Sequence, residues 1–186
     1  MVISDRIRRI EEEQNRRQNP ELVMDLLDIK PDMRVGELGA GRGRYVIHVA
    51  RRLGEKGVLY ANDIDERMLK TLRARIREEG LTNVVPVKGT ETDPRLPGSL
   101  DLVYIINAYH DFTKPVELLQ KLCPSLDGGG ALAIIEVDPD RSYSTHFNKN
   151  EKDVINELAR AGYTHNKTIK LSETYNIYFF TITVQT

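Results

Sequence analysis

The stretch from Arg34 to Tyr45 constrains this chain more than any other. A short apolar-leaning run breaks into glycines at alternate positions, Gly39, Gly41 and Gly43, and then resumes as an amphipathic segment. That order reads as strand, tight turn and helix. Glycine tolerates positive φ and has no Cβ, so such a turn lets backbone N–H groups and a helix N-terminus approach a ligand closely. A nucleotide-like ligand is the first implication. Spacing narrows it, because the dinucleotide fingerprint sets its third glycine one residue later, where Arg44 stands. Charge narrows it again. Glu37 lies two residues before the first glycine of the turn, at the carboxyl end of the strand. A carboxylate there repels a pyrophosphate and attracts a sulfonium or an ammonium, with about 1 to 4 kcal/mol at stake at contact distance.

The rest of the chain alternates strands and helices around this turn. Residues 3–17 carry Ile3, Ile7 and Ile10 at helical spacing among charges, which predicts a helix packed on the flank, a lid over a ligand or a dimer contact. Asn19 and Pro20 cap and open a second helix, and Pro31 ends it. His48 falls off the apolar face of the helix after the turn and reads as a surface residue. Residues 57–63 form an apolar run ending in Asp63, a second strand whose tip can accept bonds from both ribose hydroxyls of an adenosine; Asp65 is the better cap for the next helix. That helix presents Arg67, Lys70, Arg73, Arg75 and Arg77 outward. Residues 83–88 tolerate an edge position because Pro86 cannot donate to a ladder. Residues 100–107 are the fourth strand, and its tip places Asn107, Tyr109 and His110 toward the group that reacts, where Tyr and His can orient or deprotonate a nucleophile. The competing reading packs Tyr109 and bonds His110 to Asp111.

Thr113 caps a helix through Leu122, glycines 128–130 release a fifth strand at residues 131–137, and a polar loop from Asp138 to Lys149 holds Tyr143, His146 and Phe147, suited to substrate selection. Asn150 starts a last helix. Two β-rich strands, Tyr163 to Glu173 and Tyr175 to Val184, close the chain.

Composition sets outer limits. At 186 residues the chain suits one α/β domain. Lys plus Arg number 27 against 28 Asp plus Glu, a net charge of −1 that lacks the positive field of a non-specific nucleic-acid binder. A single cysteine, Cys123, leaves no intramolecular disulfide and implies a reducing, cytoplasmic setting. No run is long enough to cross a bilayer, so no membrane association is expected.

Residues 37–43, Glu-Leu-Gly-Ala-Gly-Arg-Gly, resemble the first motif of the class I S-adenosylmethionine-dependent methyltransferases. The resemblance covers residues 20–186, leaving 1–19 as an N-terminal helical extension. It implies a single α/β domain built on a doubly wound, mostly parallel seven-stranded sheet, with helices on both faces and a C-terminal antiparallel strand. It also implies S-adenosylmethionine as cofactor and S-adenosylhomocysteine as product. Glu37 would serve the methionine end, Gly39, Ala40, Gly41 and Gly43 would supply backbone, and Asp63 with Ile64 would hold the ribose. The family usually has an acidic residue directly after the third-strand glycine; here Thr90 stands there and Glu91 one later, so both are candidates for the adenine. Asn107 completes the cofactor set, Tyr109 and His110 are the catalytic candidates, and Asp127 stands where the family's fifth-strand segment usually has proline. The implied activity is methyl transfer to O, N or C of a small molecule. The alternatives are an RNA or protein acceptor docked on the arginine-rich helix, a module that binds the cofactor without turnover, and NAD-linked reduction. No metal is expected, although His110, Asp111, Glu136 and Asp138 form the one candidate set. The N-terminal helix is the surface that a homodimer would use.

Overall fold

The computed structural model describes residues 3–126, 128–141 and 149–183. The strands are β1 (Arg34–Leu38), β2 (Val58–Asp63), β3 (Val84–Lys88), β4 (Leu102–Ile106), β5 (Ala131–Val137), β6 (Tyr163–Lys170) and β7 (Tyr175–Ile182). The helices are α1 (Asp5–Gln18), α2 (Pro20–Leu26), α3 (Arg44–Leu53), α4 (Glu66–Glu78), α5 (Pro115–Leu122) and α6 (Glu151–Arg160). One seven-stranded sheet runs in the order β3-β2-β1-β4-β5-β7-β6. β1 to β5 are mutually parallel, β7 is antiparallel to β5, and β6 is antiparallel to β7. The expected doubly wound sheet with an antiparallel last strand is therefore what the chain forms.

Period-two alternation explains how the sheet holds two layers of helix apart. On β4, Leu102, Tyr104 and Ile106 join the core under α2, α3 and α4, while Val103 and Ile105 join the core under α5 and α6. On β5, Ala133 and Ile135 take the first side, and Leu132 and Ile134 the second. All five residues of β4 are buried, the apolar run expected of a parallel strand covered on both faces. β3 sits at the edge, where the missing N–H of Pro86 is tolerated.

Caps follow the sequence in most places. Asn19 accepts from the Leu22 N–H with Pro20 at the first turn of α2, Asp65 accepts from Arg67 N, and Asn150 with Asp153 forms a capping box on α6. The start of α5 differs from expectation: Pro115 fixes its first turn, Lys114 is the N-cap without a side-chain bond, and Thr113 lies outside the helix. Arg75, expected on the exposed face of α4, is buried and paired with Glu11 at 2.8 Å. Two of its neighbours are neutralised locally, Arg67 by Asp65 and Arg73 by Glu66. His48 is half-buried beneath α1, with Nε2 3.2 Å from Asn15 Nδ2, and burial lowers its pKa. Asp127, Tyr143, His146, Phe147 and Val184 lie outside the described residues. Among the described residues no helix is long and apolar enough to cross a membrane.

The glycine turn packs as tightly as its spacing implies. A Cβ on Gly39 would stand 2.5 Å from Ala108 Cβ, with φ at 75°, and one on Gly43 would stand 2.5 Å from Leu72 Cδ1, with φ at 88°. Gly39→Ala should lower the unfolding free energy by about 2 to 4 kcal/mol, measured by urea denaturation, because it adds backbone strain to overpacking against the β4 tip.

Candidate active site

The turn after β1 is held from both flanks. The Gly41 N–H donates to Asp63 Oδ2 at 2.8 Å, the Asp65 N–H donates to Asp63 Oδ1 at 2.8 Å, and the Ala40 N–H donates to the Asn62 carbonyl at 2.8 Å. Asp63 thus ties the second strand tip to the turn, and each of its oxygens keeps a further lone pair for a ligand. A Cβ at Gly41 would have no neighbour within 4 Å, so the chain there is open toward the cleft.

Two cavities meet at this turn, sharing Gly39, Gly41 and Asn107. The first, about 330 Å³, gathers Asp63, Ile64, Thr90 and Glu91 with apolar walls from Phe112 and Leu118. The second, about 340 Å³, is roofed by Ile7, Ile10, Glu11 and Gln14 of α1 and floored by Glu37, Ala40, Arg44 and Tyr45. The expected cofactor residues thus fall on a continuous surface, except Gly43, whose place is against Leu72 rather than in either cavity. Thr90 Oγ1 accepts from the Asp93 N–H at 3.0 Å, which shapes the third tip. Asn107, in the left-handed region at φ 51°, accepts from Gln18 Nε2 at 3.0 Å. Asn62 also lines the first cavity; its side chain donates to the Pro94 carbonyl at 2.7 Å.

Glu37 is 4% exposed and accepts the Tyr104 hydroxyl at 2.6 Å. Burial pushes its pKa up to about 7, against the pull of the Tyr104 bond and of the Arg44 charge. Burial and the Glu37 charge hold the Tyr104 hydroxyl well above its ordinary value, so it stays protonated and remains the donor.

The catalytic candidates are placed elsewhere. Tyr109 is fully buried and lines neither cavity; its hydroxyl donates to Glu157 Oε2 at 2.7 Å, and Lys149 Nζ stands 4.6 Å from its ring. Tyr109 packs on the α5–α6 side, the side that Val103 and Ile105 face on β4. His110 Nδ1 is 2.8 Å from Glu136 Oε2, and its Nε2 is 3.6 Å from Asp111. Burial lowers the His110 pKa, the Glu136 bond and charge raise it, and the net direction is upward. Glu136 also accepts the Tyr109 N–H at 3.0 Å, so this carboxylate holds the tip of β4 together. The packed reading of Tyr109 is the one realised, and His110 bonds primarily to Glu136. Among the described residues no group of three or more His, Cys, Asp and Glu has metal-holding geometry.

Sequence reasoning missed Arg44 and Gln18. Arg44 donates to Asn15 Oδ1 at 3.0 Å and to Gln18 Oε1 at 2.6 Å, binding α1 to the start of α3. Its position, where a dinucleotide turn would have glycine, was the available signal. Gln18, at the end of a charged helix, gave none.

A glycine turn between two cavities, at the carboxyl ends of a parallel sheet in the order 3-2-1-4-5-7-6, defines a nucleotide-cleft α/β protein of the class I methyltransferase type. A family model described as a methyltransferase domain matches residues 29–176, and the chain belongs to that family. It is similar to the ubiquinone/menaquinone biosynthesis C-methyltransferase UbiE of Laribacter hongkongensis, 28% identical over 108 residues, 58% of this chain and 44% of that protein. It is also similar to a nocamycin O-methyltransferase of Saccharothrix syringae, 35% identical over 82 residues, 44% of this chain and 29% of that one. The chain thus matches less than half the length of these curated relatives. A solved S-adenosylmethionine-dependent methyltransferase from Aquifex aeolicus superposes with a TM-score of 0.87 at 24% identity, over 95% of this chain and 97% of that one.

Two outcomes follow from the buried groups. The folded pKa of Glu37 lies above its unfolded value of 4.5, so the native state binds the extra proton between pH 4.5 and about 7. Stability from this group is greatest below pH 4.5 and falls as pH rises to about 7, by on the order of 3 kcal/mol. Glu37→Gln should remove that slope, so thermal melts at pH 8 rank the variant above the parent. Tyr109→Phe should cost about 1 to 2 kcal/mol in urea denaturation, by removing one hydroxyl partner of Glu157.

Proposed function

We propose that the protein is an S-adenosylmethionine-dependent methyltransferase acting on a small-molecule acceptor. The carrying observation is that the glycine turn separates a cavity marked by Asp63 from one marked by Glu37. An adenosyl donor laid across the open Gly41 backbone would present its ribose to Asp63, its adenine to Ile64, Phe112 and the third tip, and its amino-acid end to Glu37. The residues fit that group: Gly41 leaves the cradle clear, and the paired oxygens of Asp63 retain acceptor capacity.

When bound, S-adenosylmethionine supplies a methyl carbon on a sulfonium, a good leaving group. What remains for the chain is alignment and exclusion of water. Asp63 fixes the turn, Gly39 lets the turn close on Ala108, and α1 roofs the second cavity. Tyr109 and His110 hold the β4 tip through Glu157 and Glu136, a positioning role in place of the proton transfer first expected of them. A small acceptor is favoured over RNA because the α1 roof closes the Glu37 cavity and because Arg67, Arg73 and Arg75 are already paired. The relatives named for C- and for O-methylation leave both acceptor atoms within this reading.

The test offers purified protein and donor labelled at the methyl group to a metabolite extract, tRNA and total protein. Label is expected in the metabolite fraction; label in tRNA or protein would overturn the small-molecule reading. Asp63→Asn should weaken S-adenosylhomocysteine binding about ten- to a hundredfold by calorimetry. Donor binding that survives without any label transfer would favour the non-catalytic module.

A further inference from the structure

Arg44 sets the direction of the hydrogen bonds around it, because a guanidinium donates and cannot accept. Its two terminal nitrogens donate to Asn15 Oδ1 at 3.0 Å and to Gln18 Oε1 at 2.6 Å, so both amides turn their oxygens toward it and their NH2 groups away. Each amide passes that direction on. Asn15 Nδ2 stands 3.2 Å from His48 Nε2, which must therefore accept, and His48 is a neutral ring with its proton on Nδ1. The lowered pKa of this half-buried histidine agrees with that state. On the other arm, Gln18 Nε2 donates to Asn107 Oδ1 at 3.0 Å. The Asn107 oxygen is thus taken from α1, and its NH2 group, which makes no hydrogen bond among the described residues, is the polar end left over.

Asn107 stands where that leftover matters. With Gly39 and Gly41 it is common to both cavities, the one marked by Asp63 and the one marked by Glu37. Gln18 is 1% exposed and lines neither. A donor with its adenosine in the first cavity and its amino-acid end in the second has its reacting centre between them, at this junction. An acceptor held there meets an N–H of Asn107. Such a group favours an oxygen lone pair, and an ionised oxygen most of all. An amine has a single lone pair, which attack on the methyl group requires, so it gains nothing from a hydrogen-bond donor here.

We propose that Gln18 is a positioning residue that sets the class of acceptor: it turns the Asn107 amide so that its N–H groups hold an ionised oxygen, as in an enolate, a phenolate or a carboxylate, and amines are excluded. This deepens the small-molecule reading above and rests on it. An oxygen so held keeps lone pairs for attack, and in an enolate or phenolate it also enriches the neighbouring carbon in electrons. One arrangement therefore serves methylation at O or at C and fails at N.

Gln18→Glu is the informative variant, because it keeps the size of the side chain and reverses the relay. A carboxylate accepts from Arg44 and from Asn107 alike, so the Asn107 amide turns over and shows the cleft its oxygen. Side-chain amide NMR on the isotope-labelled intact protein reads this directly. In the parent the Gln18 NH2 protons should be protected from exchange with water and the Asn107 NH2 protons should exchange freely; in Gln18→Glu the Asn107 protons should become protected. In the labelled-donor assay the parent's product should carry its methyl group on oxygen, or on carbon beside an oxygen-bearing carbon. Gln18→Glu should raise the acceptor KM about tenfold, with S-adenosylhomocysteine affinity by calorimetry within about twofold of the parent. The amide pattern and the product class are read on the parent, so they hold even where the variant folds poorly. Protected Asn107 protons in the parent, label on an amine nitrogen, or an unmoved acceptor KM in a folded Gln18→Glu would overturn the proposal. A tenfold loss of S-adenosylhomocysteine affinity in that variant would also overturn it, by assigning the Asn107 amide to the donor. A parent that binds S-adenosylhomocysteine and labels nothing sinks the methyl-transfer reading instead.

Discussion

The N–H of Gly41 donating to the Asp63 carboxylate is the contact on which the cleft depends. It joins the tips of adjacent parallel strands, β1 and β2, and so converts a flexible three-glycine bend into a fixed shelf. Parallel strands deliver their carboxyl ends to one edge of the sheet, but only a tie between tips makes that edge a surface of defined shape. The Ala40 N–H to the Asn62 carbonyl adds a second tie between the same pair of tips. Close packing of Gly39 on Ala108 extends the shelf to β4. Three neighbouring strand tips are thereby locked to one another.

Electrostatics divides that shelf. On one side a carboxylate is spent on backbone N–H groups and is suited to hydroxyls. On the other, Glu37 is kept out of water, bonded to one phenol and shadowed by Arg44. A buried carboxylate near neutrality is destabilising in the resting protein. The orphaned Tyr45 hydroxyl in the same cavity is a second cost of the same kind. Local rules of stability are broken together, in one place, and this coincidence locates function better than the shape of either cavity alone.

How much of this was legible in the residues depends on whether the signal was local. The glycine spacing, the acid before it, Asp63 at the second tip and the terminal strand pair are local signals, and the sheet follows them. Tyr109 and His110 were harder to read, because the carboxylates that take them up, Glu157 and Glu136, come from α6 and β5, far along the chain. Arg75 was misjudged because helical periodicity on α4 cannot reveal that α1 covers that face and brings Glu11 to it. Gln18 was invisible, since a glutamine at the end of a charged helix looks like any solvated residue until Arg44 and Asn107 are seen on either side of it. Periodicity places a residue on a face; it does not name what covers that face.

The dyads behind the β4 tip show why no constellation of acid and base stood out along the chain. Glu136 takes both the Tyr109 N–H and the His110 ring, and Glu157 takes the Tyr109 hydroxyl with Lys149 beside it. These buried groups are satisfied by one another, and satisfied polar networks rigidify what they touch. Here they touch the segment that follows Asn107 and Ala108, both of which line the first cavity. Displacement at a carbon bearing a good leaving group gains most from fixed alignment and least from proton transfer. A chain built for that chemistry would spend its buried histidine and tyrosine on stiffening the cleft wall.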